Sequence, residues 1–163
     1  MKEQGMPLPA PDEAAGAHGE RLLQLIRQEI TATGSISFAR FMELALYAPG
    51  LGYYSAGRRQ FGPGGDFVTA PELSPLFSRC LARQCAQVLA GLGGGCILEF
   101  GAGSGIMAAA LLEALQDTDA LPERYLILEP GAELRARQQA LLHQRLPDFM
   151  DRIQWLDRLP VAG

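Results

Sequence analysis

The fold of this chain is decided by the stretch Cys96-Ile97-Leu98-Glu99-Phe100-Gly101-Ala102-Gly103-Ser104-Gly105-Ile106. A short apolar strand, residues 96–100, runs into a turn with glycine at alternate positions, and an Ala- and Leu-rich helix, residues 105–116, follows. A strand, a glycine turn and a helix in this order are typical of α/β proteins that bind nucleotide-like ligands. The sequence therefore predicts a ligand-binding turn at the carboxyl end of the first strand.

The glycine spacing and the acid before it indicate which kind of ligand this turn binds. A dinucleotide-binding turn has the pattern G-x-G-x-x-G, whereas Gly101, Gly103 and Gly105 alternate here and Ile106 stands at the third glycine position. The carboxylate of Glu99 places a negative charge beside the turn, which repels a pyrophosphate and attracts an ammonium group. These features disfavour an NAD-dependent oxidoreductase. A turn whose glycines serve only close helix–strand packing stays open as an alternative.

A second strand, residues 125–129, ends in the acid Glu129. Together with the first strand and helix 105–116 it predicts a right-handed βαβ unit. Because parallel strands end at the same edge of a sheet, we expect Glu129 beside the glycine turn, where it would accept hydrogen bonds from ribose hydroxyls. The alternative is a solvated acid that precedes the turn Pro130-Gly131.

A third strand, residues 153–156, gives a parallel sheet with the expected order 3-2-1 and leaves strand 96–100 on an open edge. Proteins normally avoid an unpaired apolar strand edge. We therefore expect one of two arrangements. Either the chain is a fragment of a longer protein, or another chain, such as a second copy of this one, covers the edge. The predicted fold class is α/β, and residues 93–163 form the first half of a Rossmann-like domain.

The residues before this domain are predicted to be helical and irregular. Residues 1–17 are expected to form a flexible tail, and residues 18–92 a helical and loop region. Within that region we predict helix 20–31, a second helix capped by Ser37 and a third that starts at Ser74-Pro75. The irregular stretch 52–72 carries too many aromatic and apolar residues for a simple linker, so we expect an ordered binding loop.

The composition restricts the classes of function. The 163 residues have a net charge of −4, without the basic field that nucleic acid binding requires. No apolar run approaches the ~20 residues of a membrane span. The N-terminus lacks the pattern of a signal or transit peptide, so we expect a cytoplasmic protein. Three cysteines and two isolated histidines predict neither a disulfide framework nor a metal site.

Four segments within residues 36–142 carry a resemblance to one family. They are Phe38-Ala39-Arg40-Phe41 through Gly52-Tyr53-Tyr54, Gly65-Asp66-Phe67-Val68-Thr69-Ala70-Pro71-Glu72-Leu73-Ser74, Leu98-Glu99-Phe100-Gly101-Ala102-Gly103-Ser104-Gly105 and Leu128-Glu129-Pro130-Gly131-Ala132-Glu133-Leu134-Arg135. In these segments the chain resembles the MidA-like class I S-adenosyl-L-methionine (SAM) methyltransferases. That family is related to the mitochondrial arginine methyltransferase needed for assembly of respiratory complex I, and the chain resembles the N-terminal portion of a bacterial member.

The resemblance implies SAM as the cofactor and assigns it a set of binding residues. Glu99 would face the ammonium group of SAM, Glu129 would hold its ribose diol, and Asp157, after the third strand, is a candidate for the adenine amino group. The turn that passes beneath the cofactor would consist of Gly101, Ala102, Gly103 and Gly105.

The resemblance also implies an arginine side chain of a partner protein, such as a complex I subunit, as the methyl acceptor. Asp66 and Glu72, in the signature loop 61–74, are the candidate catalytic carboxylates, because a carboxylate that orients a guanidinium helps to localise a lone pair and to remove a proton. The alternative from another class is a non-catalytic assembly factor that binds a partner protein and keeps the SAM pocket only as a vestige.

Overall fold

The computed structural model describes residues 13–57, 60–62, 64–66 and 68–160. Contacts divide the chain into two compact units, and the division falls between Ala56 and Gly57. None of the helices in these described ranges is long and apolar enough to cross a bilayer.

The described part of the first unit, residues 13–56, consists of two helices and the turn that follows them. Helix α1 spans Glu13–Thr33 and helix α2 spans Phe38–Tyr47. Ser37 caps α2 as predicted, because its side-chain oxygen accepts the N–H of Arg40 at 3.1 Å. The small apolar core of this unit is formed by the buried side chains of Ile26, Leu44 and Ala48.

Helix α1 begins earlier than the sequence suggested. The tail predicted over residues 1–17 differs from the structure in its last part, because residues 13–17 already belong to α1. This segment contains three alanines, which are the strongest helix formers. His18 then donates from Nε2 to the carbonyl oxygen of Leu51 at 2.7 Å, which ties this end of the helix to the unit. Residues 1–12 of the predicted tail lie outside the described residues.

Among its described residues, the second unit contains a three-stranded parallel sheet and four α-helices. Its elements in chain order are α3 (Ala70–Leu73), α4 (Pro75–Leu92), β1 (Cys96–Phe100), α5 (Ile106–Gln116), β2 (Arg124–Leu128), α6 (Ala132–Arg145), a 3-10 helix (Pro147–Arg152) and β3 (Ile153–Leu156). The three predicted strands are confirmed, with β2 one residue earlier than expected. The short α3 and the 3-10 helix are additions, since a helix of one or two turns leaves no periodic pattern in a sequence.

The sheet has the strand order β1-β2-β3 and both strand pairs are parallel, which confirms the predicted topology. Glu99 pairs in register with Ile127, and Ile127 pairs with Trp155. The carboxyl ends of all three strands therefore lie at one edge. Among the described strands β1 has a single neighbour, and its terminal residue Phe100 is 65% exposed.

Helix α5 lies at the centre of the core of this unit. Its buried side chains are Ala108, Ala109, Ala110, Leu111, Leu112 and Leu115. Helices α3 and α4 both pack against α5, so residues 57–92 belong to the same unit as the sheet. The division after Ala56 therefore differs from the boundary between residues 92 and 93 that the sequence suggested.

Candidate functional site

The glycine turn after β1 provides an open stretch of backbone. It begins where the N–H of Gly101 donates to the carbonyl oxygen of Leu128 at 2.9 Å, which joins the ends of β1 and β2. Gly101 and Gly103 have φ angles of +65° and +55°, a left-handed conformation that side-chain-bearing residues rarely adopt. A Cβ on Gly101 would meet no atom within 4 Å, whereas one on Gly103 would touch the ring of Phe61 at 3.4 Å. Space is therefore free beside Gly101, and Phe61 packs against the turn at Gly103.

A cavity lies against this turn, inside the second unit. Its volume is about 250 Å³, just below the roughly 300–1,000 Å³ of sites that hold a whole small ligand. The described residues thus enclose room for part of a cofactor-sized molecule. The cavity is lined by Phe61, Thr69, Pro71, Glu72, Phe77, Glu99, Gly101, Ala102, Gly103, Ser104 and Met107.

Glu99 is a buried acid in the wall of this cavity. It is 8% exposed, and its Oε2 accepts a hydrogen bond from the hydroxyl of Tyr125, itself 1% exposed, at 2.7 Å. Burial raises the pKa of Glu99, and the hydrogen bond from Tyr125 acts in the opposite direction by stabilising the carboxylate. The pKa of Tyr125 is raised as well, first by burial and then by the neighbouring charge of Glu99. The wall therefore carries an acid whose ionisation depends on one buried hydroxyl.

Glu72 connects the signature loop to the glycine turn. It lies on α3, and its Oε1 accepts a hydrogen bond from the hydroxyl of Ser104. Both residues line the cavity. The contact therefore fixes Oε1 of Glu72, while Oε2 keeps its acceptor sites for a group in the cavity. Asp66, the other predicted catalytic acid, is exposed and is not among the residues that line the cavity. Phe67 of the signature lies outside the described residues.

Glu129 follows β2, as predicted, but it is 3% exposed and does not line the cavity. Its Oε1 accepts a hydrogen bond from the N–H of Gly131 at 2.9 Å, and its Oε2 accepts one from Nε2 of Gln138 at 3.1 Å. The same Nε2 donates to the carbonyl oxygen of Gly103 at 3.0 Å. Glu129 is thus linked to the glycine turn through the amide of Gln138.

The other two predicted cofactor residues are placed away from the cavity. Asp157 forms an ion pair with Arg135 at 2.5 Å, and its side chain is 84% exposed. Gly105 has a φ of +84° and lies against α6, where a Cβ would come within 3.4 Å of the Cα of Gln138. Of the predicted site residues, the structure therefore brings five together around one cavity: Glu72, Glu99, Gly101, Ala102 and Gly103.

Three further residues join this site without having been singled out in the sequence: Ser104, Tyr125 and Gln138. Gln138 is fully buried and accepts the indole N–H of Trp155 at 2.9 Å on its Oε1. It stands between Leu134 and Leu142 on the buried face of α6, at steps of four residues. A polar residue within an apolar helical stripe is the signal that could have identified it.

Within the described ranges, no three His, Cys, Asp or Glu side chains lie close enough to form a metal site. The polar groups that line the cavity are the carboxylates of Glu72 and Glu99, the hydroxyls of Thr69 and Ser104, and the backbone of the glycine turn.

Comparison with known proteins identifies relatives of this chain. Residues 80–162 match the model of a family described as "Putative S-adenosyl-L-methionine-dependent methyltransferase". A crystal structure of a Burkholderia thailandensis protein bound to S-adenosyl-homocysteine (SAH) has 48% sequence identity, with a TM-score of 0.79 over 94% of this chain and 41% of that one. A second, native structure from the same organism has 46% identity, with a TM-score of 0.74 over 94% of this chain and 39% of that one.

Curated relatives are similar over part of their length. The zebrafish (Danio rerio) mitochondrial protein arginine methyltransferase NDUFAF7 is 37% identical over 56% of this chain and 22% of its own length. The Drosophila melanogaster homologue of that protein is 30% identical over 85% of this chain and 33% of its own length. The chain thus spans a third or less of these two curated relatives.

Proposed function

Because the chain belongs to this family of S-adenosyl-L-methionine-dependent methyltransferases, we propose that it binds SAM in the cavity beside Glu99 and that the protein methylates arginine side chains of a partner protein. The observation that carries the proposal is the buried carboxylate of Glu99 in the cavity wall, beside the open backbone of Gly101. An anion at this place suits the ammonium group of SAM and opposes the pyrophosphate of NAD.

Residues that line the cavity, and two residues that do not, are assigned to different parts of SAM. The free space at Gly101 admits a ligand against the backbone, and Ala102 and Gly103 continue that surface. Glu99 would accept hydrogen bonds from the ammonium group. Glu129 would receive the ribose hydroxyls, since its two oxygens each accept one hydrogen bond here and each has a second acceptor site. Asp157 stays the candidate for the adenine amino group, although its ion pair with Arg135 competes for that role.

The sulfonium of SAM supplies an electrophilic methyl group, so the work of the protein is to bring a nucleophile into line with it. Glu72 is the candidate carboxylate for the acceptor, because it lines the cavity with one oxygen fixed by Ser104 and the other available. A carboxylate in that position orients a guanidinium and takes up its proton. Asp66 is the second candidate from the same loop. The arginine acceptor is supported by the names of the curated relatives, and a complex I subunit by the family resemblance.

Titration calorimetry of the chain with SAM, SAH and NAD tests the cofactor. We expect SAM and SAH to bind and NAD not to bind. The Glu99→Gln variant should lose about tenfold or more in affinity for SAH, the value of a hydrogen bond to a charged group. Asp151→Asn, which removes an exposed acid in the 3-10 helix, is the matched control and should bind as the wild type does. Binding of NAD instead of SAH would establish the oxidoreductase alternative.

Transfer of a labelled methyl group tests the enzymatic part separately. The wild-type protein would be incubated with methyl-labelled SAM and a library of arginine-containing peptides, alongside the same library with lysine in place of arginine. We expect label on the arginine peptides alone and its loss in Glu72→Gln. Binding of SAH without label on any peptide would favour the assembly factor that keeps its cofactor pocket.

A further inference from the structure

We propose that Gln138 is a positioning residue that holds the Glu129 carboxylate at a fixed place beside the glycine turn, where the carboxylate recognises the cofactor ribose. The inference deepens the proposed function and rests on it. The supporting observation is that the amide of Gln138 is fully buried and forms three hydrogen bonds. Its partners are Gly103 after β1, Glu129 after β2 and Trp155 on β3.

The orientation of this amide follows from its partners. An indole N–H only donates, so the atom that faces Nε1 of Trp155 at 2.9 Å must be the oxygen of Gln138. The nitrogen then lies on the other side and offers two hydrogens. Its two neighbours, the carbonyl oxygen of Gly103 at 3.0 Å and Oε2 of Glu129 at 3.1 Å, are both acceptors. No rotated amide satisfies all three contacts.

The amide therefore sets the distance between two groups that come from different elements. Gly103 belongs to the turn after β1 and lines the cavity, and Glu129 follows β2. Each is bound to the same nitrogen, which leaves little freedom for one to move without the other. A residue of the same size without polar atoms would keep the packing of α6 but release both groups.

Glu129 has a second fixed contact, from the N–H of Gly131 at 2.9 Å. If this were the only contact, the carboxylate could still rotate about its hydrogen bond with the Gly131 N–H. The Gln138 bond removes this rotation and holds Oε2 on the side of the glycine turn. Preorganised acceptors of this kind give selectivity because no reorganisation is required when the hydroxyls bind.

The test compares Gln138→Met with Gln139→Met, the same substitution at the exposed neighbouring position on α6. The probes are SAH and its 2′-deoxyribose analogue, both measured by titration calorimetry on the full chain. In the wild type we expect SAH to bind about tenfold more tightly than the analogue, the value of one hydrogen bond to a carboxylate. In Gln138→Met this ratio should fall towards one, while Gln139→Met keeps it.

A merely structural role predicts a different result, in which both ligands weaken by the same factor and their ratio stays as in the wild type. That result, or a wild type that binds both ligands equally, would overturn the inference. Hydrogen exchange in the ligand-free chain provides a second readout, at the Gly105 amide that donates to Ala102 within the turn. We expect exchange there to be about tenfold faster in Gln138→Met than in Gln139→Met.

The two proposals fail in distinguishable ways. If the wild type binds neither SAH nor SAM, the proposed function is wrong, and the Gly105 amide then decides whether Gln138 holds the turn. An unchanged exchange rate in Gln138→Met would overturn the positioning role whatever the ligand results are.

Discussion

The hydroxyl of Tyr125 is predicted to control how strongly the cavity binds an ammonium group as a function of pH. The hydroxyl donates to Oε2 of Glu99 at 2.7 Å, and both residues are buried. Tyr125→Phe removes this donor and little else. Burial then continues to raise the pKa of Glu99 without the opposing hydrogen bond, so the carboxyl stays protonated to a higher pH.

The size of the effect follows from the kind of bond that is lost. A hydrogen bond to a charged group contributes about 1.5–3 kcal/mol, and Tyr125→Phe removes this stabilisation from the ionised form of Glu99. A protonated Glu99 offers no charge to an ammonium group. Affinity for SAH should therefore rise with pH in both proteins as Glu99 ionises, and in Tyr125→Phe the rise should occur at higher pH.

Titration calorimetry with SAH between about pH 5 and pH 6.5, where an α-amino group stays protonated, measures both profiles. Tyr54→Phe, a tyrosine of the first unit, is the matched control and should follow the wild type. Glu99→Gln should give weak binding that varies little with pH. If Tyr125→Phe is folded by circular dichroism and its profile coincides with that of the wild type, the reasoning that connects Tyr125, Glu99 and the ammonium group is refuted.

Three other substitutions have expected outcomes that follow from contacts described above. Because burial raises the pKa of Glu99, the contribution of Glu99 to stability is full at low pH and is lost as the pH rises through that pKa. At neutral pH the free energy of unfolding of Glu99→Gln in urea should therefore match or exceed that of the wild type, and a clearly lower value would contradict this. Gly103→Ala should lower the free energy of unfolding by about 1–2 kcal/mol, since φ is +55° and the added Cβ touches Phe61; an unchanged urea midpoint would mean that the turn relaxes. Ser104→Ala should speed hydrogen exchange of the α3 amides by releasing Glu72, whereas Ser104→Thr keeps the hydroxyl and serves as control; equal exchange in both variants would show that the contact does not order α3.

The fold could be predicted from the sequence because its elements leave strong local signals. The strands are short apolar runs bounded by glycine or charged residues, and their order is the one expected for half of a doubly wound parallel sheet. The turn of Gly101 and Gly103 was recognisable from its glycine spacing between an apolar strand and a helix. Helix α1 was predicted too short because its first residues, Glu13 and then alanines and a glycine, carry no apolar period for a pattern to detect.

The arrangement of the candidate site could be predicted in part, while the roles of its residues stay predictions. Glu99, Glu72 and the glycine turn lie around one cavity. Glu99 and the turn could be placed because they stand at the end of a predicted strand, and Glu72 because it lies in the signature loop 61–74. Contacts between distant side chains were beyond the sequence. The bond from Tyr125 to Glu99 joins residues 26 apart, and that from Gln138 to Gly103 joins residues 35 apart. Such pairings depend on register and rotamer, which no periodic pattern specifies.

Two expectations about the wider setting stay predictions. A cytoplasmic location is not tested, and the two curated relatives are named as mitochondrial proteins. Pairing of β1 with a second copy is also untested; size-exclusion chromatography with light scattering would detect a dimer, and Phe100→Lys at the exposed end of β1 should dissociate it.

The chain contains one tryptophan, and its indole is hydrogen-bonded to Gln138. Because indole emission is sensitive to its hydrogen-bond partners, any ligand that displaces this amide should alter the intrinsic fluorescence without a dye or tag. With excitation at wavelengths that tyrosine does not absorb, the emission comes from this one indole and not from the four tyrosines, so a compound collection could be surveyed in unmodified protein.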